Sequence, residues 1–366
     1  MWLPSPTTCN CCEFCLPFYG EGEHCSRGGP GTGFTVGRCG AGLMCVADPD
    51  DGHSYCERMD SPCHTKQDSY DERQESGETF AMEMRPHCDG KGKFAAFDCV
   101  PAHTCFCQSE EGDRIFGEVL YLGTVTTQNM HCGCSRLHAK IASNISPGLP
   151  LPVIGPRCTS DGNFNPVQCI DRTCYCVDTI TGEVLDGERR MVDLDEYPIS
   201  ELACYEAALD LFPQHSIGEP PYNYTTPCFE GMQERVDFIK QSQEEGFIVD
   251  YFSSVPQCMP DGTYGRIARR STGESVCVDE RGQQIENYVL QSNSPEAANM
   301  DCKCAQTSLV MATSTEKPVC CKNGNFRRIQ CRRGLCRCVD SDGRQTERES
   351  ADVTSLSCWT PDWKTC

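Results

Sequence analysis

A cysteine frame that recurs along the chain limits what it can fold into more than any other feature. In CTSDGNFNPVQCIDRTCYCVD, Cys158 is followed at fixed offsets by Gly162, Phe164, Cys169 and the tight pair Cys174 and Cys176, with Pro156 two residues ahead of it. The same frame returns at Pro86, Cys88, Gly92, Phe94, Cys99, Cys105 and Cys107, with one extra residue before the tight pair, and at Pro318, Cys320, Gly324, Phe326, Cys331, Cys336 and Cys338. A weaker copy runs through Pro256, Cys258, Gly262, Tyr264 and Cys277. Self-similarity at a period of about seventy residues marks tandem copies of one unit, here expected to be small separate modules on a string.

Units of this size bury too little apolar surface to be secure alone. With 32 cysteines in 366 residues, covalent staples worth about 2–4 kcal/mol each are expected to supply much of the stability. Such density belongs to an oxidising compartment, which predicts an extracellular, secreted protein. The fold class predicted is small disulfide-rich modules in tandem, loop-rich, with short helices and short antiparallel strands. A net charge of −21 argues against nucleic acid as a partner of the whole chain. The most apolar stretch, LPLPVIGP, is broken by prolines, so membrane insertion is not expected. The eight histidines fall in no recognisable catalytic motif, and disulfide use of the cysteines removes thiolate nucleophiles, so an enzyme is not expected. No cofactor or metal is implied.

The opening MWLPSPTT has neither a basic nor an apolar signal region; a secretion signal is expected to have been removed or to lie ahead of this start. Residues 1–62 then hold Cys9, Cys11, Cys12, Cys15, Cys25, Cys39, Cys45 and Cys56. TTCNCCEFC followed by RCGAGLMC resembles the second half of the amino-terminal domain of the insulin-like-growth-factor-binding proteins, as a module truncated at its N-terminus. Thr8 and Asn10 replace that family's glycines, and the upstream cysteines that would partner the cluster are missing. The resemblance implies a growth-factor contact around Phe34, Leu43 and Met44. Without a histidine at ligand spacing, the cluster reads as disulfides rather than as a zinc site.

Modules are then expected at 63–133, 134–205, 228–303 and 304–366, with a proline-rich, semi-extended linker at 206–227. In the third, Met232, Val236 and Ile239 fall at helical spacing; the first copy's QDSYDERQES is too polar to signal a helix strongly. The third copy lacks two cysteines together, with Arg269 and Ser275 in their places. Losing both halves of one bridge leaves no stray thiol, which predicts Cys169–Cys174 and Cys331–Cys336 in other copies. Cys321 and Cys366 remain as an extra pair.

The frame PxC, DGxF, QC, CxCV resembles the thyroglobulin type-1 repeat, best at 134–204. The third and fourth copies depart from it at Val276 and Arg337, where the family usually has tryptophan; Phe106 and Tyr175 stand there in the first and second, and the first also has Lys91 and Asp98 for aspartate and glutamine. The resemblance implies bridges from first to second, third to fourth and fifth to sixth cysteine. These are Cys63–Cys88, Cys99–Cys105, Cys107–Cys132, Cys134–Cys158, Cys176–Cys204, Cys228–Cys258, Cys277–Cys302, Cys304–Cys320 and Cys338–Cys358, besides the two above. Relatives with several copies include secreted matrix proteins and cysteine-protease inhibitors. In inhibitory relatives two loops enter the protease cleft as a wedge, which carries over to Gly148, Leu149, Leu151, Val153 and Ile154, and to Ile170 through Arg172 and Thr173. Prolines at 147, 150, 152 and 156 bias the first of these loops to an extended form that loses little entropy on docking.

The function expected is therefore inhibition or regulation of papain-like cysteine proteases. The alternatives are an extracellular carrier of an insulin-like growth factor and a matrix-associated regulatory protein. Two sequons predict glycosylation at Asn144 and Asn223. Residues 304–366 carry 10 Lys or Arg against 7 Asp or Glu, a net of +3, whereas residues 1–303 carry 22 against 46, a net of −24. Arg327, Arg328, Arg332, Arg333 and Arg337 within this basic part suggest a site for heparan sulfate or another polyanion.

Overall fold

The computed structural model describes residues 2–3, 14–15, 17–27, 37–50, 52–144, 155–216, 218–248, 255–314, 316–364 and 366. They contain fourteen disulfides, short antiparallel sheets and few helices, as a chain of small stapled modules requires. None of their helices is long and apolar enough to cross a membrane.

Four segments share one order of elements. Each opens with a helix, at Pro62–Glu75, Gly133–Asn144, Pro227–Glu244 and Lys303–Val310. A disulfide joins each helix to the anchor cysteine of the frame: Cys63–Cys88, Cys134–Cys158, Cys228–Cys258 and Cys304–Cys320. Anchor cysteine and aromatic then form an isolated antiparallel bridge in all four, Cys88 with Phe94, Cys158 with Phe164, Cys258 with Tyr264 and Cys320 with Phe326. A hairpin follows, at 97–108, 167–176, 267–278 and 329–338, extended to three strands in the first three segments by Arg114–Leu120, Met191–Asp193 and Gln284–Gln291.

The polar helix at 62–75 exceeds what its periodicity signals. Ser61 accepts a hydrogen bond from the His64 amide, Pro62 opens the first turn without an orphan N–H, and the Cys63–Cys88 bridge fixes the start. Gln67 Nε2 then donates to the Pro86 carbonyl at 2.7 Å, so polar contacts and a staple replace an apolar stripe. The third helix does bury one, with Ile239 inside and Met232 and Val236 half-buried.

Cys169 faces Cys174 and Cys331 faces Cys336 in the register of their hairpins, and each facing pair is bonded. Arg269 faces Ser275 at the same register in the third segment, so its hairpin closes without a disulfide there, with an Arg270–Glu274 ion pair across the turn. The remaining staples described are Cys25–Cys45, Cys39–Cys56, Cys99–Cys105, Cys107–Cys132, Cys176–Cys204, Cys277–Cys302, Cys321–Cys366 and Cys338–Cys358.

Two compact units result: Met1–Glu78 with Arg85–Ala95 and Glu110–Asp113, and Thr79–Met84 with Ala96–Ser109 and Arg114–Cys366. Within the second, the modules are docked rather than strung apart, which corrects the expectation of separate beads. The Asn163 side chain accepts from the amides of His131 and Cys132, at 2.8 and 3.1 Å, and donates to the Asn129 carbonyl at 2.8 Å. Asn325 makes the equivalent bonds to Asp301, Cys302 and Asn299. At both joints only glycine fits: a Cβ on Gly162 would lie 2.4 Å from Cys107 Sγ, and one on Gly324 2.3 Å from Cys277 Sγ.

The stretch expected to be a semi-extended linker is instead folded down. Tyr205, Tyr222 and Tyr224 pack on the core of Val167, Val192, Leu194, Ile199 and Leu202. Arg157 lies 4.4 Å from the Tyr224 ring centroid and pairs with Asp210 at 3.4 Å. Beyond it, Thr226 Oγ1 donates to the Gly262 carbonyl, and the Cys158 amide donates to that of Pro260. Aromatic residues among the prolines are what hold this segment; proline content alone pointed to a spacer.

Candidate functional site

The candidate site is one end of the second module. Residues 145–154 lie outside the described residues, and with them Gly148, Leu149, Leu151, Val153 and Ile154. What the structure places is the foot of that loop and the hairpin beside it. At the foot, Gly155 passes over His138 so closely that a Cβ would lie 2.7 Å from its ring, and His138 Nε2 donates to the Pro156 carbonyl at 2.5 Å. Burial holds the His138 pKa below its usual value, partly offset by that bond, so the ring is a neutral donor near pH 7.

Arg157, the next residue, is clamped by Gln168. Its amide donates to Gln168 Oε1 at 2.8 Å, while Gln168 Nε2 donates to the carbonyls of Arg157 at 2.7 Å and Asn165 at 2.8 Å. Gln168 is buried, so three of its four hydrogen-bonding positions are used where water cannot compete. The clamp joins the loop foot to the strand Val167–Ile170, which puts the foot and the hairpin tip on the same edge of the module. Sequence reasoning read this glutamine only as part of a motif; its spacing of one residue before Cys169 was the available signal.

The tip turns at Asp171, whose φ of 54° is left-handed, and the Cys169–Cys174 bridge closes the hairpin behind it. Ile170 is 64% exposed, an apolar side chain held at the tip of a stapled turn. Arg172 is half-buried; it pairs with Asp195 at 3.0 Å and donates to the Leu194 carbonyl at 3.2 Å, which ties the tip to its own module. The edge thus offers one fixed apolar side chain, Ile170, projecting from a stapled turn, a shape suited to filling a cleft.

The other sequence candidates are dispersed. Leu43 is half-buried and Met44 exposed on the strand Leu43–Ala47, which pairs with Ser54–Arg58, while Phe34 lies outside the described residues. Cys9, Cys11 and Cys12 also lie outside them, and of Cys15 only the backbone is described. The arginine run does not form one solvated face, which corrects the expectation of a polyanion surface in that form. Arg337 is 7% exposed, Arg327 is half-buried, and Arg332 and Arg333 both pair with Glu316; Arg328 is exposed. Strand alternation and a carboxylate sixteen residues upstream of Arg332 break the run up. Asn144 and Asn223 are both exposed.

Comparison with known proteins identifies thyroglobulin type-1 repeats at three places, residues 63–125, 134–194 and 303–358. Equistatin of Actinia equina is 27% identical over 222 residues, covering 57% of this chain and 76% of equistatin. Human thyroglobulin is 29% identical over 197 residues, 52% of this chain and 6% of that protein. Bovine thyroglobulin is 32% identical over 105 residues, 28% of this chain and 4% of that protein. The chain therefore spans only a small part of the thyroglobulins it matches and most of equistatin.

Proposed function

We propose that this protein is an inhibitor of papain-like cysteine proteases and that the second module's edge enters the protease cleft. The reading rests on the resemblance of residues 134–194 to thyroglobulin type-1 repeats, whose inhibitory members use this loop and this hairpin tip. The observation that carries it is the exposed Ile170, fixed on a disulfide-closed turn beside a loop foot clamped by Gln168. A cleft that accepts extended apolar chain gains most from a projection that is ordered before it docks, because less entropy is lost on binding. Catalysis is not part of this role. The segment 228–303, with the same helix, anchor bridge and hairpin, is read as a fourth, degenerate copy of the repeat.

The test is equilibrium inhibition of a cathepsin-L-like enzyme by the intact, oxidised chain, compared with Leu151→Asp. Wild type should inhibit, and a charge placed in the apolar loop should weaken inhibition at least tenfold. Full protease activity at micromolar wild-type chain, across several papain-like enzymes, would end the reading.

A further inference from the structure

The first repeat presents the same edge as the second, but the fourth module sits on it. Across the first repeat's three strands, Asp98, Phe106 and Glu118 are aligned in register, forming one row on one face. Arg344 from the fourth module bonds Asp98 at 2.8 Å and lies 4.8 Å from the Phe106 ring centroid, and Arg114 lies 4.5 Å from that centroid. Thr307 Oγ1 donates to Glu118 Oε1 at 2.7 Å. Phe106 is completely buried. The corresponding row of the second repeat is Gln168, Tyr175 and Met191, and Met191 is 69% exposed. Asp98, a departure from the repeat pattern in sequence, thus has an ion-pair partner: an arginine 246 residues away.

The contact reaches the loop that corresponds to one element of the wedge, and the charges of Arg337 and Arg332 act at the tip that corresponds to the other. In the loop ahead of Pro86, the Ala81 amide donates to Glu349 at 3.5 Å and the Met82 amide to Gln345 at 3.1 Å. At the hairpin tip, Val100 stands immediately after Cys99 as Ile170 does after Cys169, and it is 4% exposed against 64%. His103 in the same turn is also buried, and burial together with the charges of Arg337 and Arg332 lowers its pKa to about 4.

We infer that the first repeat carries a second protease-binding edge, closed in the intact chain because the fourth module occupies it. This rests on the inhibitor reading of the second repeat. One chain then engages one papain-like protease, and separation of the fourth module from the first exposes a second site.

The experiment uses the full, oxidised chain and its Arg344→Glu variant, which places a carboxylate against Asp98 and Phe106. Two readouts are taken on each. Hydrogen exchange should show the Ala81 and Met82 amides slow in wild type and at least tenfold faster in the variant. Binding stoichiometry with a papain-like protease should be one for wild type and two for the variant, and Asp98→Arg combined with Arg344→Glu should restore one. Fast exchange of both amides in wild type would overturn the closed contact whatever the protease does. A variant with freed amides that still binds one protease would overturn the second site alone. Absence of binding by either form would overturn the inhibitor reading, and the second site with it.

Discussion

Replacing Gln168 by alanine tests how the proposed edge is held in place. The substitution removes three hydrogen bonds of 2.7–2.8 Å from a buried amide and leaves the Arg157 amide without its acceptor. A buried neutral hydrogen bond contributes about 1 kcal/mol net, so the expected local cost is about 3 kcal/mol. If that cost falls on the loop foot, exchange of the Arg157 amide should speed up about 100-fold, since each 1.4 kcal/mol is a factor of about ten. Native-state hydrogen exchange on the oxidised chain reads this residue by residue. Gln330 makes the same three contacts with Val319 and Arg327 in the fourth module, so Gln330→Ala should speed exchange of the Val319 amide to a similar extent while leaving exchange of the Arg157 amide unchanged. An Arg157 amide that exchanges within threefold of wild type after Gln168→Ala would refute the clamp.

Three further outcomes follow from the packing. Phe106→Ala should cost about 3–5 kcal/mol in denaturant unfolding with disulfides intact, as expected for emptying a fully buried aromatic site, and more than Tyr175→Ala, whose ring is half-exposed. Gly162→Ala, at a φ of +84° and facing Cys107 Sγ, should lower the melting temperature by several degrees, whereas Gly273→Ala, at a φ of +82° with open space around it, should lower it less. His103, lowered to about 4 by burial and by Arg337 and Arg332, and only slightly countered by Glu118, takes up its proton more readily when unfolded. Stability should therefore fall as pH drops from about 6.5 towards 4, by on the order of 3 kcal/mol, and His103→Gln should flatten that slope when unfolding is followed against pH.

The class of fold was legible because cysteine offsets repeat whatever the intervening residues do. The anchor cysteine and aromatic of each copy form the same bridge, and the paired absence at Arg269 and Ser275 marks two residues that face each other across a hairpin. Contacts between copies were not legible, since they depend on single departures from the pattern. Asp98 and Phe106 look like drift until Arg344 is seen over them, and the proline-rich 206–227 conceals tyrosines that pack on a neighbouring core. The arginine run misled for the opposite reason: closeness in sequence is not a shared face when strands alternate and one glutamate takes two of the guanidinium groups.

The central claim is that the second module's edge is the part that enters the protease. Hydrogen exchange of the full oxidised chain, with and without a catalytically inactivated papain-like enzyme, tests it directly. The account predicts slowed exchange confined to the loop before Cys158 and the tip from Ile170 to Thr173, and loss of that slowing in Ile170→Asp. Slowing in another module with the second left unchanged, or a complex that forms equally well with Ile170→Asp and without slowing at this edge, would contradict it.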